Sequence, residues 1–136
     1  MTAPDRDPLD VLIVDDAQDF RELLRLSLSR NARITIVGEA TNGEEALAEA
    51  GARHTDVVIL DLSMPVMDGL EAAPLIKQEN PGVKIVVLSG FRASDMAAKA
   101  AAAGADAYVE KSANFSELES AIFAVVDGTT ASDVTQ

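Results

Sequence analysis

The chain has 136 residues, 48% hydrophobic and 25% charged, which suits one domain around a single buried core. With 23 acidic against 11 basic residues its net charge is -12, which argues against binding nucleic acid or an anionic membrane surface by bulk electrostatics. The absence of cysteine excludes disulfides and thiol catalysis, and a single histidine cannot build a His-rich metal centre. No apolar run approaches the roughly 18 to 20 residues of a membrane span. Residues 1–8 hold two prolines and alternating charge, without the basic and apolar stretches of a signal peptide. We expect a loose leader there, and a cytoplasmic protein.

Val11-Leu12-Ile13-Val14 is a continuous apolar run that stops at Asp15, the pattern of a strand buried on both faces. Phe20, Leu23, Leu24 and Leu28 then recur at helical spacing. A second strand is expected over Arg33–Val37, where alternation suggests a half-covered edge. Asn42, with Glu45 three residues on, caps a short Ala/Glu helix. Val57-Val58-Ile59-Leu60 repeats the first strand and ends at Asp61. Asp68 caps a helix over Gly69–Lys77, with Pro74 inside it as a source of bending or delay. Val83–Leu88 reads as a fourth strand before Ser89. An Ala-rich helix follows over Ser94–Ala103, closed by Gly104. Ala107–Val109 is a short fifth strand, and Phe115–Val126 a last helix with Asn114 as its cap and Gly128 beyond it.

Five alternating strand–helix units imply a parallel sheet with helices on both faces. Right-handed crossovers favour the flavodoxin-like doubly wound order 2-1-3-4-5. The expected organisation is a leader at 1–8, one domain at 9–127 and a polar tail at 128–136. In this layout ligands bind at the carboxyl ends of the strands, so Asp15, Asp16 and Asp61 should converge. Three close carboxylates repel one another unless a hard divalent cation neutralises them, and Mg²⁺ takes such oxygen ligands. Ser89 adds a hydroxyl to the same rim and Lys111 a cation. No strong general base is present. That inventory suits phosphoryl transfer to a carboxylate, with Asp61 as nucleophile and Asp15 and Asp16 on the metal.

The chain resembles the receiver domain of two-component response regulators. The residues that carry the resemblance are Val14-Asp15-Asp16, Leu60 to Leu70, Val87-Leu88-Ser89-Gly90 and Gly104 to Lys111, spread over about residues 9–127. The text around Asp61 resembles the branch with LuxR-like DNA-binding output domains. The resemblance implies that Asp61 accepts a phosphoryl group from a sensor histidine kinase or phosphotransfer protein. It implies that Asp15, Asp16, Asp61 and the Ser63 carbonyl hold Mg²⁺, and that Lys111 pairs with the phosphoryl group. It makes Ser89 and Tyr108 the switch pair, acting on the face of the fourth helix, fifth strand and fifth helix, which is also a homodimer surface in that reading. No separate enzymatic activity is implied beyond the domain's own phosphorylation and dephosphorylation. Family members often carry Lys-Pro where this chain has Lys111-Ser112. A cis bond before a non-proline costs about 2.5 to 4 kcal/mol, so this one is either trans or strained.

Other readings are weaker. A dehalogenase-type phosphatase needs an acid two residues after its nucleophile, where Ser63 stands. A flavin module would set Asp15 and Asp16 against the cofactor's phosphate. A partner-binding receiver without phosphorylation would not need the full set of site residues. Within the leading reading two outputs stay open: a stand-alone phosphorelay shuttle or protein-binding regulator, and the receiver of a longer DNA-binding regulator. His54, Met64 and Met67 read as surface or packing residues. On the last helix, Phe115, Phe123 and Val126 are either core or the margin of an exposed patch.

Overall fold

The computed structural model describes residues 8–128. Along the chain it holds β1 (Leu9–Val14), α1 (Gln18–Ser29), β2 (Ile34–Ala40), α2 (Gly43–Ala52) and β3 (Val57–Leu60). Then come α3 (Gly69–Glu79), β4 (Lys84–Ser89), α4 (Ala93–Ala102), β5 (Ala107–Glu110) and α5 (Phe115–Asp127). The sheet order is β2-β1-β3-β4-β5, and every pairing is parallel. This is the expected flavodoxin-like arrangement. No described helix is long and apolar enough to cross a membrane.

The apolar runs of β1, β3 and β4 divide residue by residue between two cores, because successive side chains in a strand point to opposite faces. Val11, Ile13, Val57, Ile59, Val86 and Leu88 pack with Leu24 and Leu28 of α1 and with Leu118, Ile122 and Val125 of α5. Leu12, Val14, Val58, Leu60, Ile85 and Val87 pack on the other side with Ala46, Ala72, Ala73, Ile76 and Ala100, from α2, α3 and α4. On this second side the helices present mostly alanine to the sheet's larger side chains. Each fully buried leucine or isoleucine contributes about 1.5–3 kcal/mol by leaving water.

Helix starts follow the side chains that can accept the free first-turn amides. Asn42, Asp68 and Asn114 each accept the backbone N–H three residues on. At α3 the capping box is complete, with Glu71 returning a bond to the Asp68 amide at 3.1 Å. At α2 it is half made, since Glu45 bonds the amide and hydroxyl of Thr41 instead. Gly128 closes α5 in the left-handed region at φ 81°.

Several boundaries differ from expectation. β2 continues to Ala40, because its pairing with β1 resumes after a register shift opposite Val11 and Leu12. β4 runs from Lys84 to Ser89, so Ser89 is the last residue of the strand and pairs with Glu110. α3 starts at Gly69 without delay and passes through Pro74 to Glu79. Buried Ala72, Ala73 and Ile76 hold it to the sheet despite the bond that proline removes. The last helix's Phe115, Phe123 and Val126 pack against the α1/α5 core, and the Arg33 guanidinium lies 4.2 Å from the Phe123 ring centroid. Among the described residues the exposed large apolar side chains are Leu23 and Leu26 on α1, with Val66, Leu75 and Phe91 elsewhere. The expected leader and tail lie outside the described residues, Pro8 and Gly128 apart.

Candidate functional site

Because β1 and β3 are neighbours, the residues that follow them meet. The ladder continues one step past the strands, with the Asp61 amide donating to the Val14 carbonyl at 3.0 Å. Asp15, Asp16 and Asp61 bring carboxylate oxygens within 4.8 Å of one another. Asp15 and Asp61 are buried at 2% and 4% exposure, while Asp16 is exposed. Asp15 Oδ1 accepts the Ala17 amide at 2.9 Å, and its Oδ2 lies 2.8 Å from Lys111 Nζ. Lys111 Nζ stands farther from Asp61, at 3.5 Å from Oδ2. The Ser63 amide donates to Asp61 Oδ1 at 3.4 Å.

Burial, then the charge of Asp15, pushes the Asp61 carboxyl from an ordinary 3.8 up to about 6, against the smaller opposing pull of Lys111 and the Ser63 amide. Burial lowers the Lys111 pKa, but the hydrogen bond it donates to Asp15 and the charges of Asp61 and Asp15 more than reverse this, so its net shift is upward. Three ionised carboxylates and one ammonium leave a charge of minus two. The donors are all hard oxygens. A divalent cation of the Mg²⁺ class fits both the charge and the chemistry of this set.

Ser89, after four apolar strand residues, is fully buried, and its Oγ accepts the Phe91 amide at 3.0 Å. The Tyr108 hydroxyl donates to the Phe91 carbonyl at 2.8 Å, and its ring packs against the core on the α2–α4 side. The Lys111 amide donates to the Ser89 carbonyl at 2.7 Å, which carries the β4–β5 ladder to the site. The Lys111–Ser112 bond is trans, as are all described peptide bonds. Lys111 also lies 4.5 Å from the Phe20 ring centroid, which supports its stem.

The structure thus brings Asp15, Asp16, Asp61 and Lys111 into one cluster, with Ser89 of β4 and Tyr108 of β5 both bonded to Phe91 on the segment after β4. Met64 lines a neighbouring cleft of about 290 Å³, and Met67 packs against Gly43, in keeping with a packing role. His54 is exposed at the opposite end of the sheet, 2.8 Å from Asp10 Oδ2.

Three contributors escaped the sequence reading. Arg21 Nη1 donates to the Asp15 carbonyl at 2.8 Å, and its Nε to Glu39 Oε1 at 3.0 Å, so it fixes the loop after β1 against β2. Gly69 lets α3 start against the end of β3, since a Cβ there would overlap the Asp61 carbonyl oxygen. Glu110 accepts the Ala93 amide at 2.7 Å. Gly69 had a visible signal in the Asp68-Gly69 pair before a helix. Arg21 and Glu110 act on backbone groups, which carry no sequence mark, and had none.

The sequence profile of the response regulator receiver domain matches residues 11–123. The chain is 39% identical over 130 residues to response regulator UvrY of Escherichia coli O6:H1, covering 94% of this chain and 60% of that protein. It is 38% identical over 117 residues to a protein-glutamate methylesterase/protein-glutamine glutaminase of Rhodospirillum centenum, covering 85% of this chain and 30% of that one. The chain therefore spans about a third to three-fifths of the length of these curated relatives. Among solved structures it is similar to a two-component response regulator of the LuxR family from Aurantimonas, with a TM-score of 0.86 and 30% identity over 95% of this chain and 94% of that one.

Proposed function

The chain belongs to the response regulator receiver domain family, and from that premise we propose that Asp61 is its phosphoacceptor. The observation that carries the reading is a buried carboxylate at the end of a central strand, beside a lysine and two further acids. The donor is a phosphohistidine on a sensor kinase or phosphotransfer protein. An Asp61 oxygen attacks phosphorus, the donor's P–N bond breaks, and the leaving imidazole nitrogen takes a proton from solvent. The product is an acyl phosphate on Asp61.

Asp15, Asp16, Asp61 and the Ser63 carbonyl would hold Mg²⁺, which when bound neutralises charge on the phosphoryl oxygens. Lys111 moves its ammonium from Asp15 toward the incoming phosphoryl group, a short shift given its present place between the two acids. The Ser89 hydroxyl leaves the Phe91 amide to donate to a phosphoryl oxygen, and Tyr108 follows the vacated segment. The reading makes the α4–β5–α5 face the surface whose state changes and through which copies would pair. It sets the protein in the cytoplasm, as a phosphoacceptor and not an enzyme with a separate substrate. Similarity to LuxR-family regulators favours a DNA-binding output on the same polypeptide, which the length of the coding sequence tests.

The direct test is intact mass after incubation with acetyl phosphate and Mg²⁺. One added phosphoryl group is expected, absent from Asp61→Asn and from a sample with chelator. An unmodified wild-type chain that is folded and binds Mg²⁺ would overturn the assignment.

A further inference from the structure

α4 lacks a cap of its own. Its N-cap residue is Arg92, whose side chain makes no capping bond. The first-turn amides therefore need an acceptor from elsewhere. Glu110, the last residue of β5, supplies one: its Oε2 accepts the Ala93 amide at 2.7 Å in a partly buried setting. A carboxylate at this end also meets the favourable pole of the helix dipole. The other oxygen, Oε1, lies 3.4 Å from Ser112 Oγ.

Tyr108, two residues earlier on the same face of β5, holds the Phe91 carbonyl at 2.8 Å. Two β5 side chains thus grip the three residues Phe91–Ala93 at both ends. Ser89, whose Oγ accepts the Phe91 amide, stands one residue before that segment, across Gly90. Glu110 stands immediately before Lys111, whose backbone amide bonds the Ser89 carbonyl. Strand pairing thus sets Ser89 beside Glu110, and the chain sets Glu110 beside Lys111, so the groups that would meet the phosphoryl group adjoin one that holds the segment after β4.

We propose that Glu110 is a positioning residue that caps α4 from β5 and thereby sets the balance between two arrangements of residues 89–93. The inference rests on the reading of Asp61 as phosphoacceptor and Ser89 as the hydroxyl that moves toward it. When the Ser89 hydroxyl leaves the Phe91 amide, the short segment to Ala93 shifts with it and the cap bond is lost. A bond made in only one of two arrangements biases their equilibrium by its full worth. Removing a helix cap changes such an equilibrium by roughly fivefold.

The test uses beryllofluoride with Mg²⁺ as the phosphoryl mimic. It is read by the fluorescence of Tyr108, the only tyrosine in a chain without tryptophan, and by amide exchange at Ala93 without the mimic. In Glu110→Ala the Ala93 amide should exchange faster and beryllofluoride should bind roughly fivefold tighter. Glu110→Gln keeps an acceptor oxygen without the charge and should stay within about twofold of wild type on both readouts. Arg92→Asp with Glu110→Ala gives α4 a local cap untied to β5. It should regain protection of the first turn and still bind the mimic tightly, and it carries the comparison if Glu110→Ala alone fails to fold.

Equal tightening in the Gln and Ala variants would assign the effect to charge and overturn the proposal. So would unchanged affinity in Glu110→Ala alongside faster Ala93 exchange. A wild-type chain that ignores beryllofluoride would sink the phosphoacceptor reading and the switching role with it, whereas Ala93 exchange would still show whether Glu110 caps α4.

Discussion

Replacing Asp61, the proposed phosphoacceptor, should make the metal-free protein more stable. Burial and Asp15 raise the Asp61 carboxyl from 3.8 to about 6, which costs the folded state about 3 kcal/mol once both states are ionised. The sign follows from linkage. A carboxyl with a raised folded pKa contributes its stability below the unfolded value, and loses it as pH rises through the folded value. Asp61→Asn keeps the shape and removes the charge, so its advantage should be about 3 kcal/mol at pH 7.5 and roughly half that at pH 5. For a domain of this size that is a rise in midpoint temperature on the order of 10 °C at the higher pH. Urea unfolding followed by circular dichroism, in chelator, at both pH values measures it. Adding Mg²⁺ should narrow the gap by stabilising the wild type, since a ligand that binds only the folded state adds to its stability. An Asn variant no more stable than wild type at pH 7.5, or an advantage that is the same at pH 5, would refute the electrostatic account.

Lys111→Met should raise the Asp61 pKa above its present value of about 6, because the ammonium is among the influences holding it down; carboxyl carbon chemical shifts against pH measure this. Val66 is a β-branched residue at φ 68° with its side chain 71% exposed, so it stores backbone strain without burying much surface. Val66→Gly should therefore raise stability by about 1 kcal/mol, after the entropy cost of glycine, as an increased urea midpoint with an unchanged slope.

The fold was legible because a doubly covered parallel sheet leaves a plain trace in sequence. β3 and most of β1 and β4 have no polar face to show, so they read as unbroken apolar runs. Where the reading slipped, tertiary pairing outweighed local preference. Ser89 looks like a strand end because it is polar, yet its backbone still pairs with Glu110 and its hydroxyl finds the Phe91 amide. Pro74 looks like a break, yet the buried face of α3 continues on both sides of it through Ala73 and Ile76. At α5 the aromatic residues Phe115 and Phe123 sit off the central stripe, yet their side chains are partly buried against the same core.

At the site, legibility followed the kind of bond each residue makes. Asp15, Asp61 and Lys111 act on one another, and each stands directly after or close behind a strand, so topology alone brings them together. Arg21 and Glu110 instead bond backbone groups, the Asp15 carbonyl and the Ala93 amide, that every residue possesses. A backbone partner leaves no mark in the amino-acid sequence, so neither side chain could be paired before the chain was folded. Both nevertheless act where the charge is concentrated. Arg21 holds the carbonyl of the very residue whose carboxylate is taken by Lys111. Glu110 holds the helix that begins four residues after the buried Ser89. In the proposed function the acids and the lysine supply the chemistry of phosphoryl capture, while these two side chains set where the loops that carry it rest beforehand.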